Sequence, residues 1–243
     1  IRAAVNEPVL LDGQAVQVSC SMGVVMYPRD GEDPNTLMMN ADAAMYRTKE
    51  MGKNGFQYYA REMNASVEQK LVMLEGLRAA LEGGQFSLLY QPKVDLRTGR
   101  IFGVEALIRW QHPEHGMVPP ARFIALAEES GLIIPIGDWV LQTACRQAQA
   151  WCDAGLPPVT MSVNVSPRQF EEKRLVERVA QALHDSRLPA GALEIEVTEG
   201  LIMRDLAQSV GKMGELKAMG VALSIDDFGT GYSSLSALKT FPI

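Results

Sequence analysis

Gly103-Val104-Glu105-Ala106-Leu107-Ile108-Arg109-Trp110 reads as a mostly apolar β-strand with a carboxylate and a guanidinium inside it. An ionised carboxylate in such a setting is costly unless it is paired or bound to a metal. Alternation along a strand puts Glu105, Leu107 and Arg109 on one face. A negative and a positive group therefore look into the same space. Arg109 can bind a phosphate there through paired hydrogen bonds, or close an internal ion pair with Glu105.

The pattern recurs downstream. Asn164 sits in Ser162-Val163-Asn164-Val165-Ser166, Glu196 and Glu199 in Glu194-Ile195-Glu196-Val197-Thr198-Glu199, and Asp226 and Asp227 in Ser224-Ile225-Asp226-Asp227-Phe228-Gly229. Strands are expected at 86–94, 101–110, 160–165, 193–197 and 222–225, with helices at 121–130, 137–154, 171–187 and 207–219 between them. Gly131, Gly155 and Gly220 end three of those helices. Such alternation implies parallel strands joined by helical crossovers, hence an α/β barrel or a doubly wound sheet. Taken singly, each carboxylate reads as a satisfied ion pair. Four strands that each place an acidic or amide group near one end are different, because in a barrel those ends converge where active sites sit. Hard oxygen ligands without His or Cys suit Mg²⁺ or Mn²⁺. Two such ions can activate a water and stabilise the leaving oxygen of a phosphodiester.

Upstream, a strand is expected over 14–26, a loop over 27–34, a helix over 35–51 closed by Gly52, and a short strand at 56–59. A helix over 64–82 carries Val67, Leu71, Leu74 and Leu81 on one stripe. It reads as the first helix of the following domain, with a signalling helix or dimer seam as the alternative. Net charge is −6, from 23 basic and 29 acidic residues, which argues against broad nucleic-acid binding. Cys20, Cys145 and Cys152 show no C-x-x-C pair, and Cys145 and Cys152, seven apart, are expected as buried thiols on one helix face. Met38, Met39 and Met45 are expected in a core. His112 and His115 flank Pro113 and precede Gly116, the marks of a structural turn rather than a zinc site, and His184 reads as a surface residue.

Gln91-Pro92-Lys93-Val94-Asp95, the Glu105-to-Trp110 run, His112-Pro113, Ile136 to Leu141, Asn164-Val165-Ser166, Glu196 to Glu199 and Asp226 to Leu235 resemble the EAL domain, in its order and at its spacing. The resemblance implies a TIM-like (β/α) barrel with an irregular first strand. It also implies hydrolysis of cyclic di-GMP to linear pGpG with two divalent metals, Mg²⁺ or Mn²⁺. Glu105, Asn164, Glu196 and Asp226 would be metal ligands with Asp227 beside the second ion, and Gln91, Leu107 and Arg109 would contact the dinucleotide. Glu105, Asp226, Asp227 and Glu199 would be the catalytic set, Glu199 by holding the 228–234 loop. Ser21 to Val24, Asp30-Gly31, Ala41 to Tyr46 and Lys49 to Asn54 resemble the C-terminal part of a GGDEF (diguanylate cyclase) domain, an α/β nucleotidyl-cyclase-like fold.

The implied division is 1–61 for the GGDEF part, 62–84 for a linker or first EAL helix, and 85–243 for the EAL part. Both ends read as cut, with about two-thirds of a barrel present and its closing strands absent. The fragment alone is therefore expected to be inactive and poorly stable. Its parent is expected to be a bacterial cytoplasmic phosphodiesterase, open to membrane anchoring elsewhere, to GTP at a complete GGDEF domain and to homodimerisation through the EAL domain. The alternatives are a non-catalytic cyclic-di-GMP receptor, or a bifunctional protein with dominant cyclase output.

Overall fold

In this computed structural model the described residues are 1–11, 14–202, 206–227 and 241. The chain divides into two compact units, Ile1–Met73 and Leu74–Ile243.

The first unit begins with α1 (Arg2–Val5) and an antiparallel hairpin of β1 (Val9–Leu11) and β2 (Gln14–Val16). Next come β3 (Met22–Val24), α2 (Pro34–Glu50) and β4 (Phe56–Tyr58), with β3 and β4 parallel. The strand expected over 14–26 is thus two strands, because β2 and β3 belong to different sheets. Asp33 caps α2: its Oδ1 accepts from Thr36 N at 3.0 Å, with Pro34 in the first turn. The buried face of α2 is Asn40, Ala43, Ala44 and Thr48. Met38 and Met39, expected in the core, are exposed instead. The small residues let the helix lie close on β3, where Thr48 Oγ1 donates to Met22 O at 2.9 Å. The division between units falls within α3 (Glu62–Glu82).

The second unit contains β5 (Phe86–Val94), β6 (Ile101–His112), β7 (Gly116–Val118), α4 (Pro120–Ser130), α5 (Ile133–Asp153), β8 (Thr160–Asn164), α6 (Pro167–Glu171) and α7 (Leu175–Ser186). A 3₁₀ turn, Ala190–Ala192, leads into β9 (Leu193–Thr198), followed by α8 (Glu199–Ile202), α9 (Leu206–Ala218) and β10 (Ala222–Asp226). Its sheet has the order β10-β9-β8-β6-β5, with β7 also on β6. β6, β8, β9 and β10 are parallel, as the alternation of elements implies. β5 runs antiparallel to β6, and a parallel pairing is ruled out by the short connection. There Asp95 Oδ1 accepts from Arg97 N at 2.8 Å and Thr98 N at 3.0 Å, which turns the chain sharply. β7 is an addition to the expected strands. The helix expected over 171–187 is two helices, since Ser166 and Gln169 form a capping box that starts α6 early and Glu172 is extended.

Parity sorts the strands. Met161, Val163, Leu193, Ile195 and Val197 are each at most 2 % exposed on one face of the sheet. Burying side chains of this kind stabilises the fold by about 1.5–3 kcal/mol each. α5 lies against β8 and α7, and α9 against β10. At the β5–β6 end, Trp110 is fully buried, its ring 5.7 Å from Phe123 and 6.1 Å from Phe86. Its indole N–H donates to Gln85 Oε1 at 3.1 Å, so the polar edge is satisfied. Cys145 is buried as expected, but Cys152 is exposed, because it lies in the last turn of α5. No helix among the described residues is long and apolar enough to cross a membrane.

Candidate functional site

The alternate residues form the other face, and there the polar groups gather. Register aligns Gln91 with Glu105, Glu105 with Ser162, Asn164 with Glu196, and Asp226 with Thr198. Asn164 and Asp226 are the last residues of β8 and β10, so these groups mark the C-terminal edge of the parallel strands.

Glu105 and Asn164 meet: Asn164 Nδ2 donates to Glu105 Oε1 at 2.6 Å. Glu196 is 8 % exposed and accepts from Lys93 Nζ at 2.5 Å. Burial opposes its charge, and repulsion from Glu105 and Glu194 adds to this. Its carboxyl therefore lies above the usual range despite the attraction of Lys93. Burial also opposes ionisation of Glu194, but hydrogen bonds from Lys93 and Ser162 outweigh it and hold that carboxyl low. The Lys93 ammonium, disfavoured by burial, is stabilised more strongly by the two glutamates and is raised.

Arg109 Nη1 donates to Ile108 O at 2.8 Å, and Glu105 and Arg109 form no ion pair among the described residues. Leu107 and Arg109 border a cavity of about 310 Å³, together with Gly137, Asn164, Ser166 and Gln169. Gln91 is exposed in β5. Glu199 is 5 % exposed at the start of α8, and the 228–234 loop expected to rest on it lies outside the described residues. Asp226 and Asp227 are exposed at the end of β10. Asp227 has φ +54 and its N–H donates to Asp226 Oδ1 at 2.9 Å. That left-handed conformation is uncommon outside glycine, though aspartate tolerates it better than most residues.

The donors are hard oxygens, the chemistry a divalent Mg²⁺-like ion requires. Among the described residues no three His, Cys, Asp or Glu side chains converge into a ready cage. Convergence instead pairs a carboxylate with an asparagine, and a carboxylate with an ammonium. Lys93 has no assigned role in the sequence reading. Parity carries the signal that points to it: Lys93 is two residues from Gln91, Ser162 two from Asn164, and Glu194 two from Glu196. His112 Nδ1 accepts from the N–H groups of Glu114 and His115 at 3.1 and 3.2 Å, a turn-holding role as expected.

Residues 74–243 match the family model of the EAL domain, and residues 1–55 that of the diguanylate cyclase, GGDEF domain. The chain is 47% identical over 238 residues to the bifunctional diguanylate cyclase/cyclic di-GMP phosphodiesterase MucR of Pseudomonas aeruginosa, covering 98% of this chain and 35% of that protein. It is 41% identical over 238 residues to the cyclic di-GMP phosphodiesterase NbdA of the same organism, covering 98% and 30%. The solved PaMucR phosphodiesterase in complex with c-di-GMP is similar with a TM-score of 0.69 and 50% identity, over 70% of this chain and 69% of that one. The chain spans about a third of the length of the curated relatives it matches.

Proposed function

This chain belongs to the EAL domain family, with a GGDEF domain segment before it, and on that basis we propose that it contributes to a cyclic di-GMP phosphodiesterase. The observation that carries the proposal is the Glu105–Asn164 contact at 2.6 Å, with Glu196 in register beside it. These are hard-oxygen donors on three strands at one edge of a parallel sheet, the place where α/β sheets bind ligands.

In this reading Glu105, Asn164, Glu196, Asp226 and Asp227 hold two Mg²⁺ or Mn²⁺ ions. When bound, such ions lower the pKa of a coordinated water and draw charge from phosphate oxygens. The chain's own residues do the rest. Asn164 would give its amide oxygen to the site once the contact with Glu105 is exchanged. Arg109 would turn its guanidinium from the Ile108 carbonyl to a phosphate, where its paired donors match two oxygens. Leu107 would pack against the dinucleotide, and Gln91 would contact it from the neighbouring strand. Glu199, buried beneath the strand ends, would hold the 228–234 loop in place. The division into 1–61, 62–84 and 85–243 is part of the same proposal, as are a homodimer through the EAL domain and a cytoplasmic setting.

The test is hydrolysis of cyclic di-GMP to pGpG by the protein that carries this chain, with Mg²⁺ or Mn²⁺ added. Glu105→Ala is expected to lower turnover by about 10²-fold or more, as loss of a catalytic metal ligand does. Turnover equal to the unmodified protein would refute the site.

The GGDEF match over residues 1–55 favours a second reading, a bifunctional protein that also converts GTP to cyclic di-GMP. Accumulation of cyclic di-GMP from GTP, measured beside the hydrolysis assay, distinguishes the two.

A further inference from the structure

Lys93 lies on the polar face of the sheet, back from the strand ends that carry Asn164 and Asp226. It lies on β5, yet its ammonium reaches β8 and β9 across β6. The stem runs over Gly103, where a Cβ would sit 3.6 Å from Lys93 Cδ. Nζ lies 2.6 Å from Ser162 Oγ, 2.8 Å from Glu194 Oε2 and 2.5 Å from Glu196 Oε1. An ammonium has three N–H donors and no more. All three are committed to Ser162, Glu194 and Glu196, so this lysine has no donor to offer a phosphate. Ser162 in turn donates to Glu194, which anchors that carboxylate from a second side.

Glu194 and Glu196 lie on β9 and Glu105 on β6, with β8 between them, and all three belong to the same face of the sheet. Without a cation among them their repulsion would oppose folding. We propose that Lys93 is the resident counter-cation of this site: it neutralises Glu194, shares Glu196 with an incoming metal ion, and so sets the metal affinity. This rests on the metal-site reading above. Glu194 and Ser162 are the anchor, because they hold the ammonium back from the strand ends when Glu196 turns to a metal. Glu196 is the exchangeable partner, since it stands in register with Asn164 at the strand ends.

Lys93 is then a positioning residue with an unusual sign. Removing a positively charged group from a metal site favours a divalent cation, whereas removing a merely structural residue loosens the ligands and weakens binding. The experiment is a titration of the protein that carries this chain with Mn²⁺, following free Mn²⁺ by electron paramagnetic resonance, beside thermal unfolding in EDTA. Lys93→Met is expected to bind Mn²⁺ about tenfold more tightly and to unfold at a lower temperature in EDTA. Lys93→Arg keeps the charge and is expected to stay within about threefold of the unmodified chain. Glu194→Gln leaves the ammonium to Glu196 alone and is expected to weaken Mn²⁺ binding about tenfold.

A folded Lys93→Met chain that binds Mn²⁺ no more tightly than the unmodified chain overturns the inference. Should circular dichroism show that this variant does not fold, Glu194→Gln decides, and unchanged or tighter binding overturns it. An unmodified protein that takes up no Mn²⁺ overturns the metal-site reading itself, and the counter-cation role with it. Binding that Lys93→Met leaves unaltered removes the counter-cation role alone.

Discussion

Asn164 Nδ2 donates to Glu105 Oε1 at 2.6 Å, a bond that ties together two neighbouring parallel strands at their C-terminal edge. The asparagine gives the half-buried Glu105 a neutral hydrogen-bond donor from the neighbouring strand. Asn164→Asp replaces the donor with a like charge. In EDTA the variant is expected to lose about 1.5–3 kcal/mol, the worth of a hydrogen bond to a charged group. With Mn²⁺ present the loss should shrink, because the cation takes the place of the donated proton. Thermal unfolding with and without EDTA measures both, and an equal loss in the two conditions would count against a metal between these residues.

Gly137 is the contact point of α5 and α6. A Cβ there would lie 1.7 Å from Gln169 Nε2, the side chain whose Oε1 accepts from Ser166 N at 3.2 Å to close the capping box. Gly137→Ala must push Gln169 out of that cap. The expected cost is about 0.5–2 kcal/mol, the range for a lost helix cap. Both residues border the cavity beside Leu107 and Arg109, so under the proposed function weaker binding of cyclic di-GMP should accompany it. Urea denaturation and calorimetric titration give the two quantities.

Gly23 of β3 faces a harder obstacle, since a Cβ there would lie 1.9 Å from the carbonyl oxygen of Ala41. The obstacle is backbone, which cannot swing aside as a side chain can. Gly23→Ala is expected to separate β3 from α2 and to destabilise the first unit by about 3 kcal/mol or more, the upper range for overpacking. Hydrogen exchange should show lost protection at 22–24 and 34–50, with the amides of β8 and β9 unchanged.

Burial pushes the Cys145 thiol from 9.0 up to about 12. The folded value lies above the unfolded one, so the neutral thiol's contribution is complete below pH 9. It declines as pH rises from 9 towards 12, where the unfolded chain ionises and the native one does not, by about 1.4 kcal/mol per pH unit at most. Urea midpoints at pH 8, 9 and 10 should show this fall, and Cys145→Ala should flatten it. Iodoacetamide at pH 8 should label exposed Cys152 in the native chain and reach Cys145 only after urea is added.

The strands and helices were readable because each is written in a local period. β5 begins and ends where alternation predicts, and helices α4, α5 and α9 stop before Gly131, Gly155 and Gly220, whose φ values are +85, +77 and +90. Sequence pattern and structure part where a local pattern serves two partners. Residues 14–26 look continuous, yet they are shared by two sheets. Met38 and Met39 carry core chemistry on the exposed side of α2, whose buried side is built of smaller residues that allow close approach to β3.

For the candidate site, order along the chain was enough to mark Glu105, Asn164, Glu196 and Asp226 as groups that end or interrupt strands, because side-chain parity is a property of the strand itself. Which groups meet was a matter of register and curl. Lys93 lies 101 and 103 positions from Glu194 and Glu196. No local period connects residues so far apart. Only the folding of β5 back against β6, and the curling of the sheet towards β9, brings that ammonium between the two carboxylates.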